Sequence, residues 1–368
     1  MQFSIHDIVR IRFKGESEGL RSYFGREWKL FRCSESAKAD IDVEFVKHIP
    51  IKEGVEFVSI FSAYTPTGDF IYFDRYGNKS LLPFETFGKK EIKIISENSI
   101  HPPSFYNYIL IPAIRSFLLR KGFTFLHASS IAIAGKGIVF PAWAGTGKSS
   151  MVIRFLKDGA EFMSDELAII GKGGDLYAYP NSLNLYDYNF NEFPELRRSL
   201  NREKRMQFLL KDIFEKFVYT PGSKLPATST LRNVLFKLQQ LSKNLVRVKI
   251  PAEELFPGVK VREKVPLEKI FFIIRGEVNS PVVRAVEPEF VAQKMARCLE
   301  FEFNYYYIYY LMFKFAFPDK KVGVIENALK LQEGILKNAF KGIETYYCII
   351  PYGVNTEVFY NLLRNYVS

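Results

Sequence analysis

Cysteine is scarce in this chain, with three among 368 residues, at Cys33, Cys298 and Cys348. An odd, widely spaced set builds no disulfide framework, and no CxxC pair offers a zinc site. Histidine is also rare: four scattered residues do not suggest a His-based metal cluster. No apolar run reaches the roughly 20 residues that a membrane-spanning helix needs. The most apolar one, Tyr305–Phe317, is interrupted by Lys314 and stopped by Pro318. Its spacing predicts a buried aromatic core helix rather than a membrane contact. The opening residues, MQFSIHDIVRIRFKG, put Asp7, Arg10 and Arg12 where a signal peptide needs uninterrupted apolar residues. The expectation is a soluble cytoplasmic protein without a membrane partner.

What the chain does have is apolar mass and positive charge. It is 48% hydrophobic and 25% charged, a balance that buries a real core and excludes bulk disorder. Lys and Arg number 51 against 40 Asp and Glu, a net charge of +11. That excess favours anionic partners, whether nucleotides, phosphorylated ligands, nucleic acid or anionic lipid, and charge alone does not choose among them. At about 150 residues per domain, the length suggests two domains.

Residues 1–104 read as a strand-rich recognition or assembly domain. Ile8–Phe13, Val55–Ser62, Phe70–Phe73 and Ile92–Ile95 are β-branched or aromatic runs, separated by the turn signals Thr67-Gly68-Asp69 and Tyr76-Gly77-Asn78. Pro102-Pro103 marks a boundary. Residues 105–368 read as one α/β domain. A helical pattern over Phe105–Lys121 leads to strands Phe125–Ile133 and Gly137–Phe140, joined as a hairpin by Ala134-Gly135-Lys136. A glycine-rich loop, an amphipathic helix Ser149–Lys157 and a short strand Glu161–Met163 follow. Further on come a hairpin of Leu167–Ile170 and Leu176–Tyr179, a basic helix Arg197–Lys216 and an apolar strand Ile270–Ile274. The chain ends in a helix over Glu289–Glu300, another over Val324–Phe340, a strand Tyr346–Ile350 and a last helix Thr356–Tyr366.

The chemistry is concentrated in Ala142-Trp143-Ala144-Gly145-Thr146-Gly147-Lys148-Ser149. This fits the relaxed Walker A pattern, with a strand before it and a helix after it. A triphosphate needs many donors at close range. Gly145 and Gly147 let the backbone turn and approach without a Cβ in the way. The N–H groups of Ala144, Gly145, Thr146, Gly147, Lys148, Ser149 and Ser150 are the expected nucleotide cradle, because the first helical turn has no intrahelical partners for its donors. Lys148 is expected to bridge the β- and γ-phosphates, and the Ser149 hydroxyl to ligate Mg²⁺. Asp165 and Glu166 follow the next strand, where ligands of open α/β sheets collect. ATP and Mg²⁺ are therefore the expected cofactors, with Ser149, Asp165 and Glu166 as metal ligands.

The arrangement resembles the HPr kinase/phosphorylase superfamily, P-loop kinases whose mixed sheet is entered by a β-hairpin. His127 stands 21 residues before Lys148, Gly159 ends the P-loop helix, and Asp165-Glu166 lie 17 and 18 residues after Lys148. The similarity covers residues 125–180 well and 265–368 more weakly. It implies that Asp165 is general base or metal ligand, that Glu166 assists the metal, and that His127 lies near the transferred phosphate. It also implies a homo-oligomer. Ala142 stands where many P-loops have glycine, and two positions depart from the family pattern: Ser150 replaces a common glutamate and Glu166 a common aspartate. The family's HPr-recognition segment is not found downstream.

The expected activity is transfer of the γ-phosphoryl group of ATP to a hydroxyl of serine type, on a protein, peptide or small molecule. Arg275, at the end of the apolar strand, is the candidate cationic finger. Two other classes fit the composition: a nucleic-acid-associated ATPase and a nucleotide-binding regulator without an acceptor. No helix-turn-helix, RRM signature or zinc module supports the first. The intact Lys148, Ser149 and Asp165 argue against the second.

Overall fold

Runs of β-branched and aromatic residues form two large sheets in a computed structural model. It describes all residues except 35–37, 52, 144, 180–181, 215–225, 227–228, 231–233, 236–247, 353–355 and 368. The first sheet holds β1 (Gln2–Ile5), β2 (Val9–Lys14), β3 (Arg32–Cys33), β4 (Ile41–Val46), β5 (Glu56–Ser59), β6 (Ser62–Tyr64), β7 (Phe70–Phe73), β8 (Lys79–Leu81) and β9 (Ile92–Glu97). Their order is β3-β1-β2-β4-β9-β8-β7-β6-β5. The β2–β4 and β4–β9 pairs are parallel. The run Val55–Ser62 is split, because the chain turns back at Ile60-Phe61 and continues as β6. A helix at Glu18–Glu27, unforeseen in a segment read as strands, buries Leu20 and Phe24.

The two prolines begin a helix instead of only ending the preceding segment. Proline suits the first helical turn, where its missing N–H has no partner to lose. Helix Pro102–Phe105 passes through a π-helical turn, Tyr106–Leu110, into helix Ile111–Arg120.

The second sheet is mixed. Its strands are β10 (Phe123–Leu126), β11 (Ala128–Ile133), β12 (Lys136–Pro141), β13 (Glu161–Ser164), β14 (Ala168–Gly171), β15 (Asp175–Tyr177), β18 (Lys264–Gly276), β19 (Val282–Ala285) and β20 (Glu344–Pro351). β16 (Leu183–Leu185) and β17 (Val248–Ile250) pair separately. The main path runs β10-β14-β15-β18-β12-β11-β13, with β20 also on β18 and β19 on β20. β12, β18 and β20 are parallel, whereas β11 is antiparallel to both β12 and β13. The expected single strand over Phe125–Ile133 is broken at His127. β10 pairs with β14 and β11 with β12, so the chain changes neighbours at that residue.

Strand alternation sends successive side chains to opposite faces. Ile138, Phe140, Phe271 and Ile273 join one hydrophobic cluster, together with Met151 and Phe155 of helix Lys148–Lys157 and Phe359 of helix Thr356–Val367. Val139, Ile270 and Phe272 join the other, with residues of helices Pro288–Glu302 and Ala328–Phe340. Both faces are covered, which is why these strands read as unbroken apolar runs. The second cluster also contains Phe3, Phe24, Trp28 and Phe105, so one core runs across residue 104.

The aromatic run forms helix Asn304–Ala316. It buries Tyr306, Tyr310 and Phe313 but leaves Leu311 and Phe315 exposed. Among the described residues, no helix is long and apolar enough to cross a membrane.

The strand that feeds the loop depends on a close approach at Gly137. A Cβ there would lie 2.8 Å from Val265 Cγ2 and 3.1 Å from the Pro266 carbonyl oxygen. Gly137→Ala is expected to cost about 1–3 kcal/mol through overpacking. Urea unfolding checks this, and an unchanged midpoint would refute it.

Candidate functional site

β12 continues to Ala142, which bridges Ile273 of β18, and Gly145, Thr146 and Gly147 turn the chain into the next helix. Gly145 (φ +76°) and Gly147 (φ +107°) hold left-handed conformations that side chains resist. Gly147 is the N-cap of helix Lys148–Lys157, so the helix begins one residue earlier than its pattern indicated. The Thr146 hydroxyl donates to the Trp143 carbonyl at 2.8 Å and closes the loop. Ala144 lies outside the described residues.

Lys148 folds back into this loop. Its ammonium donates to the carbonyl oxygens of Ala142 (2.6 Å) and Trp143 (3.2 Å) and to Nε2 of His127 (2.8 Å). All three acceptors are neutral, and among the described residues the buried amine forms no ion pair. Burial lowers its pKa to about 8, since desolvation penalises the charged form. Burial, reinforced by the Lys148 charge, drives the buried His127 down to about 3. The imidazole is therefore neutral at pH 7, and its contact with Glu302 at 3.9 Å is not an ion pair. By accepting at Nε2, His127 is assigned the tautomer protonated at Nδ1.

Asp165 sits just past the end of β13 and is buried. Its Oδ2 accepts from Ser149 Oγ at 3.1 Å and from the Asn184 backbone N–H at 3.1 Å. Its Oδ1 accepts from Ser129 Oγ at 2.9 Å. Burial raises this carboxyl, although those three hydrogen bonds oppose the rise. Glu166 faces elsewhere: Oε2 accepts from Asn184 Nδ2 at 2.6 Å, and the residue borders a cavity of about 600 Å³. His127, Leu167, Glu302, Tyr106, Tyr108 and Tyr305 also line that cavity.

The loop thus gathers Lys148, Ser149, Asp165 and His127, with Glu166 set toward the cavity. Ser150 turns away: its hydroxyl donates to Glu192 at 2.7 Å. Arg154 donates to the same carboxylate at 2.7 Å, and Thr356 bonds to it as well. This network ties helix Lys148–Lys157 to the last helix. Glu192 carried no signal in the sequence, because its spacing matches no motif.

Arg275 ends β18 beside the loop. A Cβ on Gly147 would stand 3.6 Å from Nη2, while Nη1 donates to the Pro351 carbonyl at 2.9 Å. The basic segment forms a 3₁₀ stretch at Pro194–Ser199 and a helix at Arg202–Phe214. Its last residues, Glu215 and Lys216, lie outside the described residues, as does most of the loop expected at 220–230.

The donor set suits the expected ligands. Among the described residues the buried Lys148 amine is hydrogen-bonded only to neutral acceptors, and the buried Asp165 carboxyl only to Ser129, Ser149 and the Asn184 amide, so an anion suits the first and a cation the second. Among the described residues, no three His, Cys, Asp or Glu side chains form a metal cage. Magnesium bound with a polyphosphate takes only one or two carboxylates, with phosphate and water oxygens completing its shell. No protein-family model matches the chain, and no curated protein matches it in sequence.

The lysine has a consequence for stability. Below pH 8 it is protonated in both folded and unfolded chains. Between about 8 and its ordinary value of 10.5 only the unfolded chain keeps the proton, so stability rises with pH across that window. Relative to Lys148→Met, the wild-type chain is expected to gain about 1 kcal/mol per pH unit there. Urea unfolding of both proteins at pH 7.5, 9 and 10 measures this, and a constant difference would refute the burial argument.

Proposed function

We propose that the chain is an ATP-dependent phosphotransferase acting on an alcohol. The observation that carries this reading is the meeting of two features at the mouth of the same glycine loop: a buried Lys148 that forms no ion pair among the described residues, and the Ser149 hydroxyl 3.1 Å from the Asp165 carboxylate. A polyphosphate supplies the missing anion to the first, and a divalent cation suits the second.

In this reading the amides of the loop and of the first helical turn hold the phosphates, and Lys148 spans the β- and γ-groups. Ser149 and Asp165 hold Mg²⁺, which when bound neutralises charge on the phosphate oxygens. His127 keeps the lysine amine in place through a neutral nitrogen. Arg275, beside Gly147, stabilises the charge that spreads over the transferring group.

We assign the proton-accepting role to Glu166 in place of Asp165. Both Asp165 oxygens already accept hydrogen bonds inside a closed pocket, whereas Glu166 borders the open cavity. The acceptor oxygen attacks the γ-phosphorus as the bond to the β,γ-bridging oxygen breaks. ADP leaves, and the hydroxyl proton passes to the Glu166 carboxylate.

Transfer of labelled γ-phosphate to a panel of metabolites, peptides and lysate fractions tests the proposal. Lys148→Ala and Asp165→Asn are each expected to abolish transfer. Glu166→Gln is expected to lower kcat by about 10²–10⁴, and Arg275→Ala by about a hundredfold or more. Near-normal turnover in Asp165→Asn would sink the assignment. So would tight nucleotide binding with no labelled acceptor, which would favour a regulator.

A further inference from the structure

A groove of about 860 Å³ lies at the other end of the second sheet. Two of its lining residues, Arg120 and Lys172, stand where β10 begins, because Phe123 pairs with Gly171 there. β10 ends at Leu126, next to His127, so the groove and the glycine loop occupy opposite ends of one strand. Helix Ala328–Phe340 contributes one of its faces to the groove, and residues 87–89 and 321–324 also line it.

Two features of the lining select an occupant. The first is charge. Lys89, Arg120, Lys172, Lys321 and Lys330 converge on the groove from distant parts of the sequence. Glu85 is the one acidic residue of the lining, and Lys320 already pairs with it at 2.5 Å. Arg120 lies over the Phe117 ring at 4.7 Å, and among the described residues none of the five cations forms an ion pair. Like charges gathered around a hollow attract an anion into it. The second feature is an apolar floor. Leu119, Val324 and Ile335 belong to a small hydrophobic cluster separate from the two main cores. Helical spacing puts Lys330, Leu331, Gly334 and Asn338 on one face beside it. Leu331 is 37% exposed, and a Cβ added at Gly334 would meet nothing within 4 Å. Glycine weakens a helix interior, and no neighbour in this chain takes up the space it leaves.

We propose that this groove docks a segment of a partner protein that carries acidic residues around an apolar side chain. The carboxylates meet the five cations, and the apolar side chain lies against Leu331 in the space over Gly334. A polyphosphate, a nucleic-acid backbone or a lipid headgroup would match the charge but leave the apolar floor uncovered. The lining also offers no exposed ring on which a base would stack, since Phe87 is its one aromatic residue and is buried. The docking is independent of the phosphotransferase reading, because no residue of the glycine-loop site contributes to it.

Fluorescence anisotropy of labelled peptides titrated with the full chain tests the groove. One short peptide repeats Glu and Leu, and its controls replace every Glu by Gln or every Leu by Ser. The Glu-Leu peptide is expected to bind at least about tenfold more tightly than either control, and to weaken as salt rises. The double variant Lys321→Glu/Lys330→Glu should lower that affinity about tenfold or more and should bind a Lys-Leu peptide instead. Gly334→Leu should abolish binding by filling the free space, while its urea midpoint holds or rises because leucine favours a helix over glycine. Loss of binding in that variant is then not loss of fold. Equal affinities for the Glu-Leu and Gln-Leu peptides overturn the proposal, as does unchanged binding in either variant. A Glu-Leu peptide that fails to bind below about 1 mM overturns it too. So does tighter binding of duplex DNA or phosphatidylserine vesicles that Lys321→Glu/Lys330→Glu removes, which would give the groove to a different partner.

Discussion

The buried ammonium of Lys148 is the constraint around which the site is organised. An ion taken out of water must be repaid by partners, and here the partners are two carbonyls and an imidazole nitrogen. Those neutral acceptors satisfy its hydrogen bonds but not its charge. The lowered pKa expresses that deficit. The same low-dielectric surroundings strengthen the attraction for any anion that reaches the loop. His127 follows from this arrangement. Burial holds the ring neutral, the amine 2.8 Å away would repel a protonated imidazole, and the ring serves as an acceptor.

The sheet explains why an acid meets the loop at all. β12 and β13 run in the same direction with antiparallel β11 between them, and helix Lys148–Lys157 packs over β11 as it returns the chain. Both strands therefore end at the same edge, where β12 delivers the glycine loop and β13 delivers Asp165. β11 is more than a spacer. Its Ser129 donates to both the backbone and the side chain of Asp165, which fixes the carboxylate toward Ser149. A crossover that skips one strand thus depends on a hydroxyl from the skipped strand to aim its acid.

Much of this was legible because the signals were local. The glycines of the loop, the periodicity of its helix and the apolar runs of β12, β18 and β20 all predicted elements that formed, with ends shifted by a few residues. β18 is the largest extension: Ile270–Ile274 became Lys264–Gly276, because Lys264, Val265 and Pro266 also pair, with β15. Helix Val324–Phe340 broke at Asn327 into a short turn and a longer helix. What escaped was long-range. Glu192 joins Ser150, Arg154 and Thr356, partners 42, 38 and 164 residues away, and no spacing rule reaches that far. The different surroundings of Asp165 and Glu166 were hidden for a related reason. Adjacent residues beyond a strand end point in different directions, and only the folded loop shows which one meets the serine.

The cavity places a further demand on the first hundred residues. Resemblance to known kinases began near residue 125, and the loop, the acid and the histidine all lie beyond that point. Half of the cavity wall does not. Tyr23 comes from the helix at Glu18–Glu27, and Tyr106 and Tyr108 from the π-helical turn. A π turn inserts one residue into a helical repeat and rotates the side chains that follow it, which is why such turns recur at binding sites. Here it brings Tyr108 against Tyr305 and Tyr106 against Tyr23. The core that continues across residue 104 holds this wall in register with the loop. The cavity wall therefore joins the two portions of the chain: the earlier residues supply Tyr23, Tyr106 and Tyr108, and the later ones His127, Glu302 and Tyr305.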